Sequence, residues 1–206
     1  MSEITPQLVK ALREKTSCGM MDCKKALEEA GGDLQKAEDI LRKKGIAKAG
    51  SKATRSAKEG IIASYIHMQG KVGVLVEVNC ETDFVAKNES FRNAVKDITL
   101  HIAAASPICV SRNEVPANLI EREREIAREQ VKGKPAEIVE KIVDGKLEKF
   151  YAQVVLLEQP FIKNPDLTVE EFVKSKIAEL GENIVIRRFV RYAVGETVEG
   201  EAPAAE

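Results

Sequence analysis

Apolar residues recur along this chain in two rhythms. Up to residue 45 the spacing is helical. Leu8, Val9 and Leu12 share a face after a Thr5-Pro6 start, where Thr can cap free amides and Pro fits the first helical position. A TSCG turn follows. A second helix carries Met20 or Met21 with Ala26, Leu27 and Ala30 toward its core, and ends at Gly31-Gly32, where left-handed backbone is cheap. Asp33 caps a third, with Leu34, Ala37, Ile40 and Leu41 inward and Gly45 as its stop.

The rhythm then changes to period two. GIIASYIHMQ and KVGVLVEVNC flank Gly70-Lys71 and read as a hairpin. NIVIRRFVRYAV, residues 183–194, is a further strand rich in β-branched and aromatic residues. Between them the helical period returns at 89–105, 117–132, 135–157 and 168–180. The expected class is α+β, with a small antiparallel sheet packed against helices. The expected division is a helical domain at 1–45, a basic linker helix at 46–59, an α+β core at 60–195 and an acidic tail at 196–206. The tail has too little apolar content to fold, so disorder is expected there.

Composition narrows the function classes. The 206 residues are 44% hydrophobic and 32% charged, as in a soluble globular protein, and the formal net charge of −1 leaves no global field to gather nucleic acid or an anionic membrane. No apolar run is long enough to span a bilayer, and MSEITPQLVK lacks the features of a secretory signal, so a cytoplasmic protein is expected. The cysteines, Cys18, Cys23, Cys80 and Cys109, have no paired CxxC spacing and read as reduced structural thiols. Neither a GxxxxGK[ST] loop nor a GxGxxG after a strand is present, so no nucleotide, metal or other cofactor is expected. His67 and His101 lie near no nucleophile motif. Cys80, between a strand end and a helix start, is the best enzymatic candidate, but Glu81 beside it opposes a thiolate and no base is in view.

Two stretches invite a binding role. Residues 42–58 carry Arg42, Lys43, Lys44, Lys48, Lys52, Arg55 and Lys58 with no intervening acid. A solvated linker helix is favoured over a phosphate-binding or acid-binding surface, because aromatic residues that would stack on bases are missing. In NCETDFVAKN, residues 79–88, Phe84 stands among Glu81, Thr82, Asp83, Lys87 and Asn88 at a strand-to-helix corner. An aromatic ring beside a carboxylate on such a corner has the makeup of an interface anchor.

LREKTSCGMMDCKKALEEAGGD (12–33) and EVNCETDFVAKN (77–88) resemble the signature segments of elongation factor Ts. HIAAASP, GKPAEIVEKIVDGKLEKF, QPFIKN and RFVRYAVGE are similar to its later segments. The resemblance implies a ubiquitin-associated-like N-terminal domain, an α+β core, and exchange of GDP for GTP on elongation factor Tu without catalysis. It places Arg13, Met20, Met21, Thr82, Asp83, Phe84, Val85 and, on a helix facing the partner, His101 at the contact. Asp83 and Phe84 would enter the G domain and disturb its magnesium and phosphate site. The chain has room for one of the two related core halves of long members, which implies a homodimer with a seam around Phe189 and Tyr192. Neither a membrane nor direct nucleic-acid binding is expected.

Overall fold

The computed structural model describes residues 4–16, 18–131 and 135–196. The expected tail beyond Glu196 lies outside these residues. The fold is α+β, and the chain divides into two compact units. One comprises Met1–Ile61, Val78–Ala94 and Asp166–Val185; the other comprises Ile62–Glu77, Val95–Pro165 and Ile186–Glu206.

The first unit opens with α1 (Pro6–Thr16), α2 (Met20–Glu29) and α3 (Leu34–Gly50). Their amphipathic faces close on Val9, Leu12, Cys23, Ala26, Leu27, Ala37 and Leu41. Thr5 and Asp33 act at the helix starts as expected: Thr5 Oγ1 accepts from the Leu8 amide, and Asp33 Oδ1 accepts from the amides of Gln35 and Lys36. Met20 and Met21 both stand outside the core, and so does Leu34.

Gly45 does not stop α3. The helix runs on to Gly50 and packs on α8 (Val169–Leu180), where a Cβ at Gly45 would lie 3.3 Å from the Ala178 Cβ. The glycine is there for close helix approach, and the expected linker begins as the last turns of this helix. Arg42 reaches Glu171 at 3.2 Å, and Lys52 donates to the Gly181 carbonyl at 2.6 Å. Thr168 and Glu171 form a reciprocal capping box at the start of α8, and Gly181 ends it in left-handed geometry.

β1 (Glu59–His67), β2 (Val72–Cys80) and β5 (Val185–Ala193) form a three-stranded sheet with β2 central. The first two are joined by a short 3-10 turn, Met68–Gly70. Gly60 must be glycine, because its φ is +145° and a Cβ would come within 2.2 Å of the Val78 carbonyl oxygen. Val74, Val76, Val78 and Cys80 point inward by strict alternation. A short α4 (Asp83–Ala86) and the long α5 (Glu89–Ala105) follow β2.

In the second unit α6 (Ala117–Glu129) and α7 (Ala136–Val154) pack together around Ala127, Val143 and Leu147. Arg112 lies 4.5 Å above the Tyr151 ring and pairs with Glu148 and Glu158. A two-stranded ribbon of β3 (Pro160–Phe161) and β4 (Asn164–Thr168) was not expected from the sequence. No helix among the described residues is long and apolar enough to cross a membrane.

Candidate protein-binding site

Phe84 is 79% exposed. A phenylalanine left in water forgoes about 1.5–3 kcal/mol of burial, so its presentation needs a local cause. The cause is the corner on which it sits. Thr82, in extended backbone, caps α4: its Oγ1 accepts from the Val85 amide at 3.3 Å. Val85 and Ala86 face inward and anchor the turn, which turns Phe84 outward.

The corner is held from the segment that follows α8. The Glu182 carboxylate accepts from the Glu81 amide at 3.1 Å, the Thr82 amide at 3.0 Å and the Thr82 hydroxyl at 2.7 Å. Glu81 in turn accepts from the Asn183 amide at 2.6 Å and faces Arg55 at 3.5 Å. The Asn183 side chain donates to the carbonyls of Arg55 and Ala53. The Cys80 thiol donates to the Thr82 carbonyl at 3.2 Å. Asp83 is exposed and accepts from Lys87 at 2.8 Å; this bond holds its carboxyl below the ordinary carboxylate value.

The expected site residues separate into three groups. Phe84 and Asp83 are exposed, as are Arg13, Met20 (58%) and Met21 (64%). Thr82 is at the surface with its hydroxyl committed to Glu182 and to the cap. Val85 and His101 need correction. Val85 is 6% exposed and belongs to the core beneath the corner. His101 is 1% exposed: its Nε2 bonds Gln159 Oε1 at 2.9 Å and its Nδ1 accepts from the Ile162 amide at 3.2 Å. It supports the segment leading into β3 and β4 and is not exposed on this chain. Burial lowers its pKa, and the Gln159 bond opposes that only in part.

Cys80, the enzymatic candidate, is buried. Burial pushes the Cys80 thiol up to about 11, and Glu182 nearby adds to the rise. All four cysteines are free. Among the described residues there is no group of three or more His, Cys, Asp or Glu that could hold a metal ion. The basic stretch is also largely engaged within the molecule, since Arg42, Lys44, Lys52 and Arg55 pair with Glu171, Glu29, the Gly181 carbonyl and Glu81.

Glu182 and Asn183 were missed by sequence reasoning. The available signal was the pairing of β2 with β5, in which the amide of Val194 bonds the carbonyl of Lys71. Followed back along both strands, that register sets residues 182–183 beside 81–82.

Sequence comparison decides the lineage. The family model described as Elongation factor TS matches residues 45–196. The chain belongs to the elongation factor Ts family. An Elongation factor Ts of Carboxydothermus hydrogenoformans is 60% identical over 195 residues, covering 94% of this chain and 90% of that protein. The Elongation factor Ts of Thermodesulfovibrio yellowstonii is 58% identical over 94% of this chain and 98% of its own length. That of Acetivibrio thermocellus is 58% identical, with 95% and 92% covered. These elongation factor Ts relatives span the helical N-terminus that the family model leaves out.

Proposed function

We propose that this chain binds the GDP form of elongation factor Tu and promotes release of GDP and its exchange for GTP, with Phe84 as a wedge and Asp83 beside it. The observation that carries this reading is the exposure of Phe84 on a corner whose polar groups are satisfied within the chain. Such a ring is ready to enter a partner's pocket without first leaving its own core. Displacing the elements around a GTPase's phosphate cradle and magnesium ion weakens both holds on GDP together. Linkage makes the effect reciprocal, so the chain binds the empty GTPase best and GTP drives it off. No bond is made or broken by the chain itself, and it works in the cytoplasm.

Arg13, Met20 and Met21 form the second contact, on the N-terminal helices, which are of ubiquitin-associated type. Exposed methionines suit this task because unbranched, polarizable side chains adapt to a partner surface. A second copy of the chain covers the outer face of the β1-β2-β5 sheet. Ile62, Leu75, Val190 and Tyr192 are exposed there, and a groove of about 240 Å³ runs between Ile62, Leu75, Phe189 and Val190. Light scattering at micromolar concentration should give twice the 22.7 kDa of one chain, and a single-chain mass would remove the dimer.

The test of function is release of labelled GDP from elongation factor Tu. The chain at catalytic amounts should accelerate it, and an unchanged rate with the folded wild-type chain overturns the reading.

A further inference from the structure

We propose that Glu182 is a positioning residue for exchange: it presets the Phe84 corner before any partner arrives. This rests on the exchange reading above. Glu182 is half-buried and directly follows the left-handed Gly181 that ends α8. Its two carboxylate oxygens divide the work. Oε2 receives the adjacent amides of Glu81 and Thr82, which fixes the backbone at the end of β2. Oε1 receives the Thr82 hydroxyl proton, which leaves the Thr82 oxygen free to accept from Val85 and cap α4. One side chain thus sets both the direction in which the strand ends and the start of the short helix that carries Phe84.

The neighbours on either side of Glu182 extend this role. The Gly181 carbonyl accepts from Lys52, and the Asn183 side-chain amide donates to the Ala53 and Arg55 carbonyls, in the turn that follows α3. Residues 181–183 therefore fasten the wedge corner to the chain that leaves the methionine-bearing bundle. A helix as short as α4 cannot hold itself in water, so the corner depends on these outside bonds. Preorganisation of this kind lowers the ordering cost of docking the ring.

The test separates position from charge. Glu182→Ala removes all three bonds. The maximal GDP-release rate at saturating chain should fall about tenfold or more, because charge-assisted bonds are lost, while the half-saturating concentration changes less than about threefold. Glu182→Gln should recover most of the loss, since its amide oxygen can take both backbone amides and its NH2 can face the Thr82 hydroxyl. Phe84→Ala added to Glu182→Ala should slow release little further than Phe84→Ala alone, because both act through one ring. A wild-type maximal rate in Glu182→Ala overturns the proposal; so does a Gln variant as slow as Ala, or a double variant whose losses multiply. If Glu182→Ala melts below the assay temperature, Thr82→Val replaces it; it removes the hydroxyl bond and the cap but keeps both amide bonds, so a smaller fall in the maximal rate is expected and a wild-type rate overturns the proposal. Amide exchange in the free chain reads the clamp without any partner. The Glu81 and Thr82 amides should exchange faster in Glu182→Ala than in the wild type, and equal rates overturn the proposal even if the wild-type chain has no effect on GDP release.

Discussion

Phe84 and His101 invert the usual distribution of residue types. The apolar ring is 79% exposed and the imidazole is 1% exposed. Each is held by polar bonds, but the bonds work on different atoms. Around Phe84 they fix the backbone and leave the side chain untouched. Around His101 they end on the ring itself, and Gln159 is fixed in turn by the carbonyls of Ala105 and Gln153. A side chain that spends its own bonding groups inside the protein is structural. One whose support comes entirely through its main chain is free to act on something else.

The largest effect should come from the exposed ring. Phe84→Ala should slow GDP release by about 30-fold, the cost of an interface anchor worth about 2 kcal/mol, and leave the melting temperature unchanged. A melting temperature that fell with the rate would break the contrast. His101→Ala should do the opposite. It leaves the buried Gln159 Oε1 and the Ile162 amide without the bonds they make to the ring, at about 1–3 kcal/mol, or roughly 2–10 °C in melting temperature. The maximal exchange rate should hold as long as the chain is folded.

The pH response sharpens the same difference. Because burial lowers the pKa of His101, the unfolded chain binds its proton first as pH falls. Its contribution is therefore neutral above the unfolded pKa of about 6.5 and becomes a loss of stability below it. Urea unfolding between pH 7.5 and 5 should show this loss, and His101→Gln should reduce the slope on the acid side. At the reactive-group level, native Cys80 and Cys109, both pushed up to about 11 by burial, should resist iodoacetamide at pH 8, whereas half-buried Cys18 is labelled first. The smallest effect belongs to Asp83→Asn. Its bond to Lys87 is fully exposed, so melting should not change measurably, and release should slow by less than in Phe84→Ala.

The helices were legible because their apolar spacing is regular. The predicted 89–105 segment coincides with α5, and 168–180 differs from α8 by one residue. The burial of His101 is legible in its helical register, although the resemblance alone points to a contact. His101 follows Ile98 by three positions and precedes Ile102, which puts it on the buried face of α5. Val85 differs from its neighbour Phe84 because one turn of helix must point some residues in and others out. Gly45 is ambiguous in sequence: glycine ends helices and also admits close neighbours, and only the presence of α8 distinguishes the two. The ribbon of β3 and β4 left no signal, since a two-residue strand has no period and Pro160 and Pro165 argue against strand. The exposure of Phe84 follows from its polar surroundings, but the acid that supports its corner lies about a hundred residues away and only strand pairing reveals it.

Because α3 continues past Gly45 and is fastened to α8, the methionines of α2 and the ring of Phe84 belong to one compact unit. In the proposed function, their two engagements with the GTPase are then not independent encounters. Once either has formed, the other proceeds at a high effective concentration and without the dilution a long tether would impose. Two modest contacts can thereby give long residence on the empty partner, and the loss of either one to incoming nucleotide shortens it sharply.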